Sequence, residues 1–341
     1  MTKRFVLLLA GCLAASAGAQ EREAPARLLP PPAGVSSELR SLSSTPPANY
    51  NQGPETAEGW AARQRASAES GARKAHAMAE RLHVHVTSKT MGGVLVFDVT
   101  PALLAPTRRD WLLVQVHAGC YVLGGGEAAT VEAILMAGIG HAHVVAIDYR
   151  MPPAAYFPAA LDDVLAVWKD ALKTHKPSRM AMFGTSAGAA LTLEAMLRAK
   201  AEAMPLPAAI GLGSPMADLT GVDDSLATNA MIDNVLVAPH GFCDAAALFY
   251  VHGHDVADPL LSPIYGDLSQ LPPAILVSGT RDLLLSSTVR VHRKLLEAGV
   301  SAELHVLEAM SHAQYLRSDT VPETIDVFRT VAAFFDRYLS P

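Results

Sequence analysis

The chain has 341 residues, half of them apolar and 18% charged, with a formal net charge of -6. That content can bury a large core and suits one α/β domain of roughly 260 residues. It offers no basic field to attract a nucleic acid. The chain carries no nucleic-acid motif and no internal repeat.

The elements follow in chain order. Lys3 and Arg4 precede an apolar stretch, Phe5 to Ala17, too short to span a bilayer, and Ala17-Gly18-Ala19 is a small-x-small cleavage signal. Residues 1–19 therefore read as a secretory signal, which implies a bacterial periplasmic or secreted protein. Leu9-Ala10-Gly11-Cys12 also resembles a lipoprotein processing site, with Cys12 as a lipid anchor. The apolar core before it would be very short, so simple cleavage is preferred. Residues 20–56, with Pro30-Pro31-Pro32 and Pro46-Pro47, read as a flexible Pro/Ser-rich arm. Residues 57–81 are alanine-rich and predict one or two helices. Strands are expected at 82–86 and 94–99, joined by a Gly92-Gly93 turn. Beyond them strand-like runs (111–116, 143–148, 179–183, 208–213, 274–279, 302–307) alternate with helical ones (127–138, 158–174, 187–203, 286–298, 322–338). Such alternation predicts an α/β fold, a mainly parallel central sheet with helices on both faces. Residues 216–257 interrupt the pattern.

Ser186 lies in Gly184-Thr185-Ser186-Ala187-Gly188, between an apolar strand and an alanine-rich helix. This is the sequence form of a nucleophile elbow, whose tight turn exposes a serine hydroxyl above the sheet. A serine needs a base and the base needs an orienting acid. Asp282 follows one strand and His312 follows the last, giving the order Ser, Asp, His. Asp258 and Glu308 remain alternative acids. Upstream, His117-Ala118-Gly119-Cys120-Tyr121 follows another buried strand, where a loop can supply backbone N–H groups to an oxyanion. His117 precedes the serine and reads as a loop-holding residue rather than the base.

These segments resemble the hormone-sensitive-lipase family of carboxylesterases, α/β-hydrolases, over residues 82–338. Asp148-Tyr149-Arg150-Met151-Pro152, Phe157 to Asp163, Asp258 to Pro263 and Leu271 to Ala274 carry the likeness between the motifs. The resemblance implies Ser186 as nucleophile, His312 as general base and acid, and Asp282 as orienting acid. It places the oxyanion hole at the N–H groups of Gly119, Cys120 and Ala187. It further implies that the N-terminal helices and the 216–257 insertion form a helical cap on a catalytic domain of residues 82–341. The expected activity is hydrolysis of small carboxylic esters with short to medium acyl chains, through an acyl-enzyme and without a cofactor. An amidase or peptidase using the same triad, and a non-catalytic ligand-binding relative, are the alternatives.

The chain departs from the family pattern in several places. The oxyanion loop has Ala118 and Cys120 where glycines are usual, and Thr185 stands where an acidic residue is common. Asp282 is followed by Leu-Leu-Leu-Ser-Ser instead of an acidic pair, and His312 by Ala-Gln-Tyr instead of Gly-Phe. Cleavage of the signal leaves two cysteines, Cys120 and Cys243, which make no disulfide framework. The Cys120 thiol is expected to line the acyl side of the pocket. Three His-x-His pairs, His83/His85, His141/His143 and His252/His254, lack the third ligand a catalytic zinc requires. Gly124-Gly125-Gly126 lacks the Lys and Ser/Thr of a phosphate loop and reads as a turn.

Overall fold

The computed structural model describes residues 25–26, 28–47 and 53–339, so the secretory signal and Cys12 lie outside the described residues. Two units are distinguished, divided between Pro31 and Pro32. The second holds an eight-stranded sheet in the order β1-β2-β4-β3-β5-β6-β7-β8. β1 (Val84–Met91) and β2 (Val94–Pro101) form an antiparallel hairpin, and β2 runs antiparallel to β4 (Val144–Ile147). From β4 onward β3 (Leu112–Val116), β5 (Met180–Thr185), β6 (Ala209–Gly213), β7 (Ala274–Gly279) and β8 (Ala302–Leu307) are parallel. β3, β4, β5, β6 and β7 are buried along their whole length, which explains why their sequences read as unbroken apolar runs.

Two apolar layers flank the sheet. One packs α4 (Ala159–Ala171) and α5 (Ala187–Ala201) on it, with Trp168 and Leu191 fully buried. The other packs α3 (Val131–Gly140) and the C-terminal helix α9 (Pro322–Leu339) around Phe183, Ile275 and Phe335. α8 (Leu285–Glu297) follows β7.

The expected N-terminal arm is only partly an arm. Ser37–Ser43 forms a helix, α1, with Ser36 accepting the Leu39 N–H as its N-cap. Leu39 is fully buried, and Ser36 N–H and Oγ donate to the Glu323 carboxylate at 2.8 and 2.6 Å. Tertiary anchoring thus orders a segment too short to be a stable helix alone. Residues 57–82 form one helix, α2 (Ala57–Leu82). It packs on the 216–257 insertion, which contains α6 (Asp224–Thr228) and α7 (Phe242–Val251). Trp60 of α2 stacks on Phe249 at 5.1 Å and meets Phe242 at 5.4 Å, so these elements share an aromatic core. No helix among the described residues is long and apolar enough to cross a membrane.

Candidate active site

Parallel strands bring their following loops to one edge of the sheet, where ligands bind in such folds. Ser186 follows β5 directly, with φ 59° and ψ -121°. A non-glycine residue there costs on the order of 1–3 kcal/mol, so its surroundings must hold it. Its N–H donates to Gly213 O at 2.7 Å, and its carbonyl accepts from Ala189, Ala190 and Met216. The flanking glycines are required sterically: a Cβ on Gly184 or Gly188 would lie 2.4 or 2.0 Å from Val116 O.

Asp282 and His312, from the loops after β7 and β8, are both buried and joined by a 3.0 Å hydrogen bond from Nδ1 to Oδ1. Asp282 also accepts from Leu284 N–H at 2.8 Å and Ser278 Oγ at 2.9 Å, so its carboxylate is fixed from three sides. Burial acts against its charge, but the His312 charge and hydrogen bond outweigh that and lower its pKa. Burial likewise opposes an imidazolium at His312, yet the Asp282 charge and hydrogen bond, reinforced by Asp233, raise its pKa. Asp282 is the acid that holds the ring; Asp258 instead accepts Leu260 N–H within its own turn. No hydrogen bond joins Ser186 Oγ to His312 among the described residues; such contacts commonly tighten only when substrate arrives.

The loop after β3 is left-handed at Gly119 (φ 128°), Cys120 (53°) and Tyr121 (64°). The N–H groups of Gly119, Cys120 and Ala187 have no acceptor among the described residues. Three donors from two loops are thus unclaimed by the fold, as an oxyanion site needs. His117 is structural: its ring stacks flat on Tyr149 at 3.9 Å, and Tyr149 Oη donates to His117 O at 3.0 Å.

Proteins of known activity share this fold. A family model described as the alpha/beta hydrolase fold matches residues 113–316. An acetyl-hydrolase of Streptomyces hygroscopicus is 30% identical over 248 residues, 71% of this chain and 81% of its own. The crystal structure of an esterase called E25 superposes with a TM-score of 0.90 at 40% identity, covering 93% of this chain and 99% of that one. A hormone-sensitive lipase from a metagenome library, 28% identical, gives a TM-score of 0.71 over 79% of this chain and 92% of its own. This chain belongs to the hormone-sensitive-lipase family of carboxylesterases. It is an α/β-hydrolase that acts on carboxylic esters.

Three departures from the family pattern acquire reasons in the structure. Thr185 donates to Glu132 of α3 at 2.6 Å, so a carboxylate still reaches the elbow, but from another helix. Tyr315 Oη meets the Thr185 hydroxyl at 2.8 Å, which links the His312 loop to the elbow. Ser214 Oγ lies against both Tyr315 and Asp282 without a hydrogen bond of good geometry to either. Burial raises Glu132 to about 7, against the lowering effect of its Thr185 and Gln115 donors. The Ser-Ser pair after Asp282 latches the cap: Ser286 exchanges hydrogen bonds with Ser225, and Ser287 Oγ accepts Ala217 N–H.

Two features differ from the sequence expectations. Cys120 has no free thiol; it is bonded to Cys243, 123 residues away, with a Cα–Cα distance of 5.4 Å. A spacing of that length carries no pairing signal, because only the fold brings α7 over the oxyanion loop. The other is Asp233, buried in the cap insertion and unmarked by any motif. Its Oδ2 accepts Leu283 N–H at 2.9 Å and approaches His312 N–H at 3.4 Å, while Oδ1 accepts Val235 and Leu236 N–H. Burial and the nearby Asp282 charge raise its pKa, against His312 and these donors. It braces the acid and base loops together from the cap side.

Among the described residues no group of three His, Cys, Asp or Glu side chains is arranged to hold a metal ion. His143 instead meets Asp98 at 2.9 Å, and His252 and His254 pack on Tyr156 and Phe157.

Proposed function

We propose that this esterase works through Ser186, His312 and Asp282 on esters with short to medium acyl chains. Ser186 Oγ attacks the ester carbonyl while His312 Nε2 takes its proton, and Asp282 stabilises the resulting imidazolium. Gly119, Cys120 and Ala187 N–H groups donate to the tetrahedral oxyanion, each contributing roughly 2.7–4 kcal/mol. His312 then protonates the departing alcohol, and water repeats the sequence on the acyl-enzyme. The observation that carries this reading is the buried Asp282–His312 pair beside a strained serine elbow. Size selection is supported by a cavity of about 280 Å³ in the cap, whose lining includes Met216, Leu226, Leu236 and Leu284 beside Asp218, Asp223, His240 and Asp244. Met216 N–H binds Ser186 O and Leu284 N–H binds Asp282, so the cavity wall abuts the triad. That volume suits a small ester.

The test is hydrolysis of p-nitrophenyl esters of increasing acyl length by wild type and Ser186→Ala. Activity should vanish in the variant and decline beyond medium chains; equal rates in both proteins would remove Ser186 from the mechanism. The leader-like residues 1–19 and the buried disulfide support export to an oxidising compartment, the periplasm or the medium.

A further inference from the structure

The oxyanion loop has a mechanical problem. A Cβ on Gly119 would sit 2.1 Å from Leu123 O, so glycine belongs there, but the next two residues are left-handed without being glycine. Cys120 and Tyr121 pay for that conformation, and the Cys120 N–H must still point at the oxyanion. The restraint comes from the cap. Cys120 is bonded to Cys243 on α7, and the Tyr121 ring stacks on Tyr250 of the same helix at 4.5 Å, within 1° of parallel. Tyr121 Oη also donates to Glu194 at 3.1 Å, and Gln64 of α2 donates to Val122 O at 2.8 Å. Cap helices thus grip the loop at three consecutive residues. The covalent grip is on the residue that carries a donor.

We propose that Cys243 is a positioning residue for ester hydrolysis, holding the Cys120 N–H in the oxyanion hole through the disulfide. The proposal rests on the triad and oxyanion reading above. Cutting the link releases Cys120 toward ordinary backbone angles and weakens stabilisation of the tetrahedral state more than substrate binding. Reduction by a dithiol does the same. A thiolate attacks one cystine sulfur, the S–S bond breaks to a mixed disulfide, and the second thiol closes the reductant ring. Two electrons and two protons pass to the protein, leaving two cysteine thiols.

The experiment compares wild type with Cys243→Ala and Cys120→Gly/Cys243→Ala on p-nitrophenyl butyrate, with affinity for an alkylboronic acid as the tetrahedral mimic. Removing the link should lower kcat on the order of 10- to 100-fold, with KM nearly unchanged and boronate affinity reduced in parallel. Glycine accepts left-handed angles, so the double variant should recover much of the lost kcat without any disulfide. A merely structural link would give no such rescue. Unchanged kcat in Cys243→Ala, or loss not relieved by glycine in a folded double variant, overturns the proposal. If Cys243→Ala does not fold, dithiothreitol on folded wild type replaces it. Two additional titratable thiols with an undiminished rate would equally refute the inference. Failure of the triad reading is separately visible, since Ser186→Ala would then retain wild-type turnover.

Discussion

Asp282→Asn should cost this enzyme less than an asparagine usually costs a triad, and the hydrogen bonds around the carboxylate say why. Oδ1 accepts from His312 Nδ1 at 3.0 Å and from Leu284 N–H at 2.8 Å, while Oδ2 faces the Ser278 hydroxyl at 2.9 Å. An amide nitrogen at the first position would oppose the Leu284 N–H, a donor that cannot turn away, at about 1–3 kcal/mol. At the second position it meets a hydroxyl that accepts as readily as it donates. The asparagine oxygen therefore stays toward His312, the ring keeps its proton on Nδ1, and Nε2 remains free for the serine proton. What is lost is charge. Two unit charges about 4 Å apart at an effective dielectric near 20 interact by roughly 4 kcal/mol, an upper bound for the imidazolium. Allowing for the Asp233 carboxylate on the other side, the loss is about 3–4 kcal/mol, or roughly 10²- to 10³-fold in kcat. A triad whose tautomer inverts loses ~10⁴-fold. The assay is kcat on p-nitrophenyl butyrate, with ¹⁵N NMR of the imidazole as the tautomer readout. A loss of ~10⁴ or more, or a proton found on Nε2 at neutral pH, would refute the reasoning.

Asp233→Asn removes one of the two carboxylates that raise His312, so the acidic limb of kcat/KM should move to lower pH; an unmoved limb would show that Asp233 carries no charge in the active form. The same change leaves the N–H groups of Leu283 and His312, or those of Val235 and Leu236, short of an acceptor, and chemical denaturation should register a loss of about 1–3 kcal/mol. Glu132 has a folded pKa raised from 4.5 to about 7, so its contribution to stability is complete below 4.5 and lost as pH rises through 7. Glu132→Gln removes that dependence, and wild-type stability relative to the variant should fall by about 3 kcal/mol between those pH values.

The Ser186 turn and the Asp282–His312 pair were legible because backbone pattern sets their positions. A strand-to-helix turn requires small residues around the serine, and loops after parallel strands converge whatever their length. Asp282 and His312 could therefore be placed from the strands preceding them. α1 was not legible: its flanking prolines mimic a linker, and its order comes from burial of Leu39 and from the Ser36–Glu323 hydrogen bonds, 287 residues apart in sequence. Asp233 and the Cys120–Cys243 pair escaped for the same reason. Asp233 and Cys243 belong to the 216–257 insertion, whose path over the sheet is fixed by tertiary packing and leaves no period in the sequence.

The departures from the family pattern remove groups that the family usually places at the elbow, the acid loop and the oxyanion loop. In the structure they form compensating sets. Threonine at the elbow would leave that turn without an acid, but Glu132 supplies one across α3, and Tyr315 occupies the other face of the same hydroxyl. The loss of the acidic pair after Asp282 is matched by serines that lock the cap through Ser225 and Ala217. Cysteine in the oxyanion loop is matched by a second cysteine above it. In each case a local requirement met elsewhere by one residue type is met here by a pair of residues distant in sequence. Such a pair is costly to break on one side alone, because the partner is then left buried and unsatisfied. Double-mutant cycles across Thr185 and Glu132 should therefore show strong coupling, whereas cycles between Thr185 and the distant Ser286 should be additive.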